Sequence, residues 1–233
     1  MNNNLLQIKI KQRLNKLASM DYDNIECWMV QEAFNKAQLE WTRRQLYGMN
    51  MRKEGAEQSS GLIDDLQQLL VQVEMRGTDK QKFFESDLLP GNYLHFVRVD
   101  VKAKADCCPE RDMTVYQAEE ANVGVLLRDE NREPSFEWAE TFVTLVGNKL
   151  RVYTADKFEV TNVQFIYYRL PREVQFNGCT NASTGTRFTA DQTSEFTDDI
   201  CEILVDEAAA VLAGDIESIN QYQREIQNAQ RNS

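Results

Sequence analysis

Residues 90–102 read PGNYLHFVRVDVK, and this stretch decides the fold class. Before it, apolar residues return every three or four positions. After Pro90-Gly91, Tyr93, His95, Val97, Val99 and Val101 alternate with Leu94, Phe96, Arg98, Asp100 and Lys102. A period of two is that of an extended strand, here one with a mixed second face.

The β pattern continues downstream. Residues 141–146 and 149–154 flank Gly147-Asn148, a pair that readily adopts the left-handed backbone of a tight hairpin turn. Residues 158–168 form another β-branched and aromatic run, stopped by Leu170-Pro171. Residues 116–127 are ambiguous, because Ala118, Glu119, Glu120 and Ala121 favour helix while Val123 and Val125 permit a strand. The expectation is a β-rich domain of antiparallel sheet or small sandwich over 91–176, then a polar return loop over 177–190.

Upstream the pattern is helical. Leu6, Ile10, Leu14 and Leu17 make one face of an amphipathic helix over about 4–18, with Lys9, Lys11, Arg13 and Lys16 around it. Asp23 followed by Glu26 has the spacing of a capping box. From there Ile25, Trp28, Met29, Ala33, Ala37 and Trp41, widened by Val30 and Phe34, predict a helix over about 24–46 with an unusually broad apolar face. Such a face suits either a central core helix or a subunit interface. The candidate interface set is Ile25, Trp28, Met29, Val30, Phe34, Trp41, Arg43 and Arg44; the two arginines also suit the C-terminal end of the helix dipole. Residues 48–60 read as a loop, and Leu62, Leu66, Leu69, Leu70 and Val73 predict a third helix ending before Gly77.

The helical period returns near the end. Thr197 is a cap, Asp198 and Asp199 suit a first turn, and Ile200, Ile203, Leu204, Ala208, Val211 and Leu212 form a stripe. Ile216, Ile219 and Ile226 extend it as one long helix or as two. The class is therefore α+β: residues 1–90 and 191–233 build a helical framework into which an antiparallel β-rich region is inserted.

Charge narrows the function. The chain has a formal charge of −11 and a pI near 4.7, against a general nucleic-acid binder, which needs a concentrated basic surface. Residues 1–60 hold nine Lys/Arg and seven Asp/Glu, whereas 191–230 hold ten Asp/Glu against Arg224 alone. Five irregularly spaced cysteines, an odd number, favour a reduced compartment over a disulfide framework. Without a basic-then-apolar leader or an 18-residue apolar run, the expected setting is the cytoplasm, at least before any assembly, with no membrane partner.

Catalytic motifs are missing. The single histidine, His95, lies in a predicted strand, where a structural imidazole is the simpler reading, and no phosphate loop or dinucleotide fingerprint is present. Asp64-Asp65, Asp198-Asp199 and Asp206-Glu207 are adjacent acids, but neighbours on a helix point in different directions. Asp21 and Asp23 begin a calcium-loop pattern that lacks its glycine. Asn181-Ala182-Ser183 matches a glycosylation sequon. The run from Phe165 to Arg169 has the composition to stack bases, yet no wider basic groove accompanies it. No catalytic residue, cofactor or metal is assigned.

Several stretches carry a family resemblance: Asp21-Tyr22-Asp23-Asn24-Ile25, Glu32-Ala33-Phe34-Asn35-Lys36-Ala37-Gln38 through Trp41, Ile63-Asp64-Asp65-Leu66-Gln67, Pro134-Ser135-Phe136-Glu137-Trp138, Tyr167-Tyr168-Arg169-Leu170-Pro171 and Leu212-Ala213-Gly214-Asp215-Ile216-Glu217. Across most of its length the chain resembles the head-to-tail connector, or ring, proteins of crAss-like tailed bacteriophages. The resemblance implies a structural virion protein at the head-to-tail junction. It implies a cyclic, dodecameric homo-oligomer that contacts the portal protein or adjacent connector rings and lets genomic DNA pass without binding it specifically. The competing expectations are an acidic phage module that binds a host protein through its β region, and a carboxylate- or metal-dependent enzyme with dispersed residues.

Overall fold

A computed structural model describes residues 1–15, 25–49, 53, 55, 64–106, 108–181, 184–215 and 226–227. The fold is α+β, and the chain divides into two units: Met1–Leu69 with Pro171–Ser233, and the continuous segment Leu70–Leu170. The reading from sequence set the β-rich region at 91–176; the division instead falls at Leu70 and Leu170.

The second unit is a single eight-stranded sheet. Its strands are β1 (Leu70–Glu74), β2 (Gly77–Lys80), β3 (Phe83–Leu88), β4 (Tyr93–Ala105), β5 (Cys108–Gln117), β6 (Glu140–Val146), β7 (Lys149–Tyr153) and β8 (Glu159–Arg169), in the order β1-β8-β4-β5-β6-β7-β3-β2. The sheet is mixed rather than purely antiparallel, because β5 and β6 run parallel, joined by the long connection over 118–139.

The strand order dictates the unit's form. β1 and β2 are the two ends of the sheet, yet only Met75 and Arg76 separate them in sequence. Seven strand spacings of a flat sheet span about 34 Å, whereas the Cα steps across two residues reach at most about 11 Å. The sheet therefore rolls up until its ends adjoin, as in a barrel. Its inside is filled by Val99, Val101, Phe165, Tyr167, Val143, Leu150 and Val152, among others.

Two sequence expectations fail here for identifiable reasons. The predicted third helix, expected to end only before Gly77, stops short: Gln67–Leu69 is a 3-10 turn, and Leu70–Glu74 pairs antiparallel with 164–168 of β8, so long-range ladder bonds override the helical spacing of the leucines. The strict alternation of 93–101 also breaks, because register shifts between Tyr93 and His95 and between Phe96 and Arg98 re-phase β4. Tyr93, Phe96, Val99, Val101 and Ala103 consequently face or pack on the core, and His95 is out of phase with them. The 147–148 turn is as expected: Gly147 and Asn148 both have positive φ, 59° and 60°, the type I′ signature.

The first unit contains α1 (Asn3–Asn15), α2 (Cys27–Tyr47) and α3 (Asp198–Asp215). Leu6, Ile10 and Leu14 of α1 are fully buried, as their spacing predicts; Leu17 lies outside the described residues. α3 is covered nearly all round, with Cys201, Leu204, Val205, Ala208, Ala209, Leu212 and Ala213 buried. Whether one helix continues to Ile219 also lies outside the described residues. α2 ends at Gly48, which takes the left-handed conformation and donates its N–H to the Arg44 carbonyl. Glu26 occupies the N-cap position without a side-chain cap bond, and Asp23 is outside the described residues.

Candidate assembly interface

The apolar face of α2 is used mostly inside the unit. Val30, Phe34 and Trp41 are at most 1% exposed and Ile25 is buried, so these four belong to the core. Trp41 packs edge-on against Phe196 at 5.3 Å between ring centres. Trp28 and Met29 are half-buried, and Arg43 is exposed. Arg44 is half-buried and pairs with Glu207 of α3. Burial holds the Arg44 guanidinium below its ordinary range, while the neighbouring Glu40 pulls it back up.

The uneven charge along the sequence has an internal explanation. The basic side of α1 meets the acidic side of α3: the Met1 amino group pairs with Asp198, Lys9 with Glu202, and Arg13 with Asp206 at 2.6 Å. These partners ascend together in both helices, so α1 and α3 run parallel. Asp206 and Glu207 are both buried and diverge as helix neighbours must, one toward α1 and the other toward α2. The acidity of α3 is thus partly neutralised within its own unit.

A second feature of α2 is a polar seam beside the apolar face. Gln31, Asn35, Gln38, Thr42 and Gln45 recur at steps of four and three residues, and all except half-buried Asn35 are buried. Three of them hold the extended backbone that leaves the β unit. Phe176 N–H donates to Gln31 Oε1 at 3.2 Å, Val174 N–H donates to Asn35 Oδ1, and Gln38 Nε2 donates to the Arg172 carbonyl at 3.4 Å. Seven helical residues advance about 10.5 Å and four extended residues about 13 Å, so the two periods nearly match. On its other side Gln175 bridges Gln192, and Asn3 donates to the Gln175 carbonyl and to Asp191, each at 2.8 Å. The return segment is a strap fastened by side chains.

Cys27 at the start of α2 is disulfide-bonded to Cys179 in this strap, with 5.9 Å between the Cα atoms. The expectation of reduced cysteines is corrected at this pair: spacing along the chain carries no information about residues 152 positions apart. Cys201 is a buried thiol directed at the Phe196 carbonyl, with burial raising its pKa. Cys107 lies outside the described residues.

On the β unit, the connection between β5 and β6 forms a groove of about 730 Å³. Thr141 and Phe142, both buried, contribute to its wall. Its rim carries Tyr116 and Val125, 55% and 69% exposed, with Glu119 and Glu140 beside them. Trp138, on the same connection, is 78% exposed. Residues 118–140 hold seven Asp/Glu and two Arg; Glu120, Asp129 and Glu133 are paired with Arg151, Arg132 and Lys157, and the segment keeps an excess of acids.

Among the described residues, no group of three His, Cys, Asp or Glu side chains is arranged to hold a metal, and no helix is long and apolar enough to cross a membrane. Phe165, Ile166, Tyr167 and Tyr168 are all buried, which removes them as a base-stacking platform. Burial lowers the His95 pKa and favours the neutral imidazole. Asp21, Asp23, Ala182 and Ser183 are outside the described residues. The chain matches no protein-family model, and no curated protein sequence matches it.

Proposed function

We propose that the protein is a structural subunit of the head-to-tail connector of a tailed bacteriophage, forming a cyclic homo-oligomer that contacts the portal or an adjacent ring and surrounds the path of the genome. The observation that supports this reading most is a set of exposed apolar side chains on the β unit, Tyr116 and Val125 lining a groove and Trp138 on the connection that helps form it. Side chains this large and this exposed, on one connection and the strand that leads into it, mark surfaces that a partner covers. The resemblance of the sequence to ring proteins names the partner class. Acidic surroundings suit a subunit near DNA that must move, because carboxylates do not hold phosphates.

The test is cross-linking mass spectrometry of purified virions. Links between copies of this chain and to the portal or a neighbouring ring, at the copy number of a closed ring, are the expected result. A protein missing from virions and recovered instead with one host partner at low stoichiometry overturns the reading in favour of a host-binding module.

A further inference from the structure

The groove has a complementary surface on the same chain. At the end of α2, Arg43 is exposed, Tyr47 is 53% exposed and Met49 is 75% exposed. Arg43 and Tyr47 lie one turn apart on one helix face. Gly55 sits against the backbone of Leu46 and Gly48, which brings exposed Lys53 close to this end of the helix. Glu40, one turn back from Arg43, is the exposed acid on the described part of that face. Among the described residues, this end of the helix presents two large apolar side chains and two cations, a candidate knob.

The groove offers apolar Tyr116, Val125, Leu126 and Phe142 with Glu119 and Glu140 in the same lining, and its Arg132 is paired with Asp129 at 3.8 Å. Asn122 donates to Glu119 at 3.3 Å and the Tyr116 hydroxyl to Glu140 at 3.4 Å, so both carboxylates are oriented as acceptors. Nucleic acid is disfavoured by the charge, and so is an anionic lipid surface. A cationic, apolar protein surface fits both the charge and the shape.

We infer that copies of this chain associate head to tail, the Arg43, Tyr47 and Met49 knob of one seated in the groove formed by Tyr116, Val125, Glu119 and Glu140 of the next. Because the two surfaces differ, the contact is heterologous and can repeat around a ring, whereas an isologous contact stops at a dimer. Closure of the ring rests on the function proposed above; the pairwise contact does not. Arg43, which its helix-end position alone would account for, becomes the residue of the candidate set that the contact uses.

A charge swap tests the contact on the full chain by sedimentation velocity over a concentration series, with circular dichroism confirming the fold of each variant. The wild type is expected to self-associate as concentration rises. Arg43→Glu alone, and Glu119→Lys with Glu140→Lys, should each weaken self-association at least about tenfold. Mixing the two variants should restore it, since each supplies the surface the other lacks. Val125→Asp, at an exposed position, should act like the groove variant. A wild type that stays monomeric to several hundred micromolar overturns the contact, as does a mixture that fails to recover or variants that associate like the wild type. Variants that associate normally while the protein is found in virion rings would remove this contact and leave the connector reading. Variants that behave as expected in a protein missing from virions would do the reverse.

Discussion

Asn35 holds both backbone groups of Val174: the Val174 N–H donates to Asn35 Oδ1 at 2.8 Å, and Asn35 Nδ2 donates to the Val174 carbonyl at 3.2 Å. One side chain on a helix thereby supplies what a neighbouring strand would supply in a sheet. Val174 is fully buried, so its polar groups have few alternatives to this pairing.

Asn35→Ala should destabilise the helical unit by about 2–3 kcal/mol, since it removes both hydrogen bonds to Val174, along with the one from Gln38, and leaves a buried backbone donor and acceptor behind. Asn35→Asp keeps the acceptor and loses the donor, and should fall between. Urea unfolding followed by tryptophan fluorescence measures both, with Trp41 buried in the same unit. A shift below about 0.5 kcal/mol for the alanine variant would mean that the strap is held elsewhere.

Glu207 is 6% exposed and depends on Arg44 for its counter-charge. Arg44→Leu should therefore cost about 3 kcal/mol, whereas adding Glu207→Leu should recover most of the loss, because an apolar pair has no buried charge to compensate. A double-mutant cycle by chemical denaturation distinguishes this from simple loss of packing, which predicts additive losses.

Gly77 opens β2 where a Cβ would lie 2.2 Å from the Glu85 carbonyl oxygen and 2.6 Å from the Phe84 ring. Gly77→Ala should destabilise the β unit at the upper end of the ~1–3 kcal/mol typical of overpacking. Gly124 has open space around its Cβ position and serves as the control. Hydrogen exchange read separately over β2–β3 and over α1–α3 should show the loss in the strands.

Asp191 receives the Asn177 N–H at 3.1 Å and an Asn3 amide hydrogen, in that order of effect, and both hold its carboxyl below the ordinary range. A carboxyl whose folded pKa is depressed contributes stability that is complete above its unfolded pKa and is lost as pH falls through the folded value. Asp191→Asn should thus be less stable than wild type at neutral pH, with the gap narrowing once pH drops below the usual carboxylate range. Thermal midpoints at pH 7 and pH 3 test the sign; a gap that widens on acidification contradicts it.

The Cys27–Cys179 bond closes a very long loop, across 152 positions of chain. Cys27→Ser, or reduction with dithiothreitol, should lower stability by about 2–4 kcal/mol. Equal thermal midpoints with and without reductant would show that the strap is held by its hydrogen bonds alone.

What the sequence disclosed was what neighbouring residues settle among themselves. Leu6, Ile10 and Leu14 mark the buried face of α1, and Gly147-Asn148 marks a hairpin turn, because each signal is complete within a few residues. β1 was hidden because the spacing of Leu66, Leu69, Leu70 and Val73 is helical, while its strand geometry comes from partners 164–168. β2 and β3 lack a clean alternation, since Gly77–Lys80 is exposed throughout. The apolar face of α2 was visible, but periodicity alone does not distinguish a helix packed on several sides by its own chain from one awaiting another subunit. The polar seam was present as Gln31, Asn35, Gln38, Thr42 and Gln45 at steps of four and three; buried amides at that period are the signal that a backbone lies against them. The groove was not legible, because β5 and β6 are adjacent only through a parallel pairing across a long connection.

The parallel contact of α1 and α3 ties Lys9 to Glu202, 193 positions later. On a ribosome the β unit, being continuous from Leu70 to Leu170, is complete and able to fold while α3 is still unmade. Throughout that interval Leu6, Ile10 and Leu14 await the helix that will cover them, and the Arg13 and Arg44 charges await their acids. The helical half therefore matures last, and a chain cut short before Asp198 would carry a finished barrel beside an unfinished bundle.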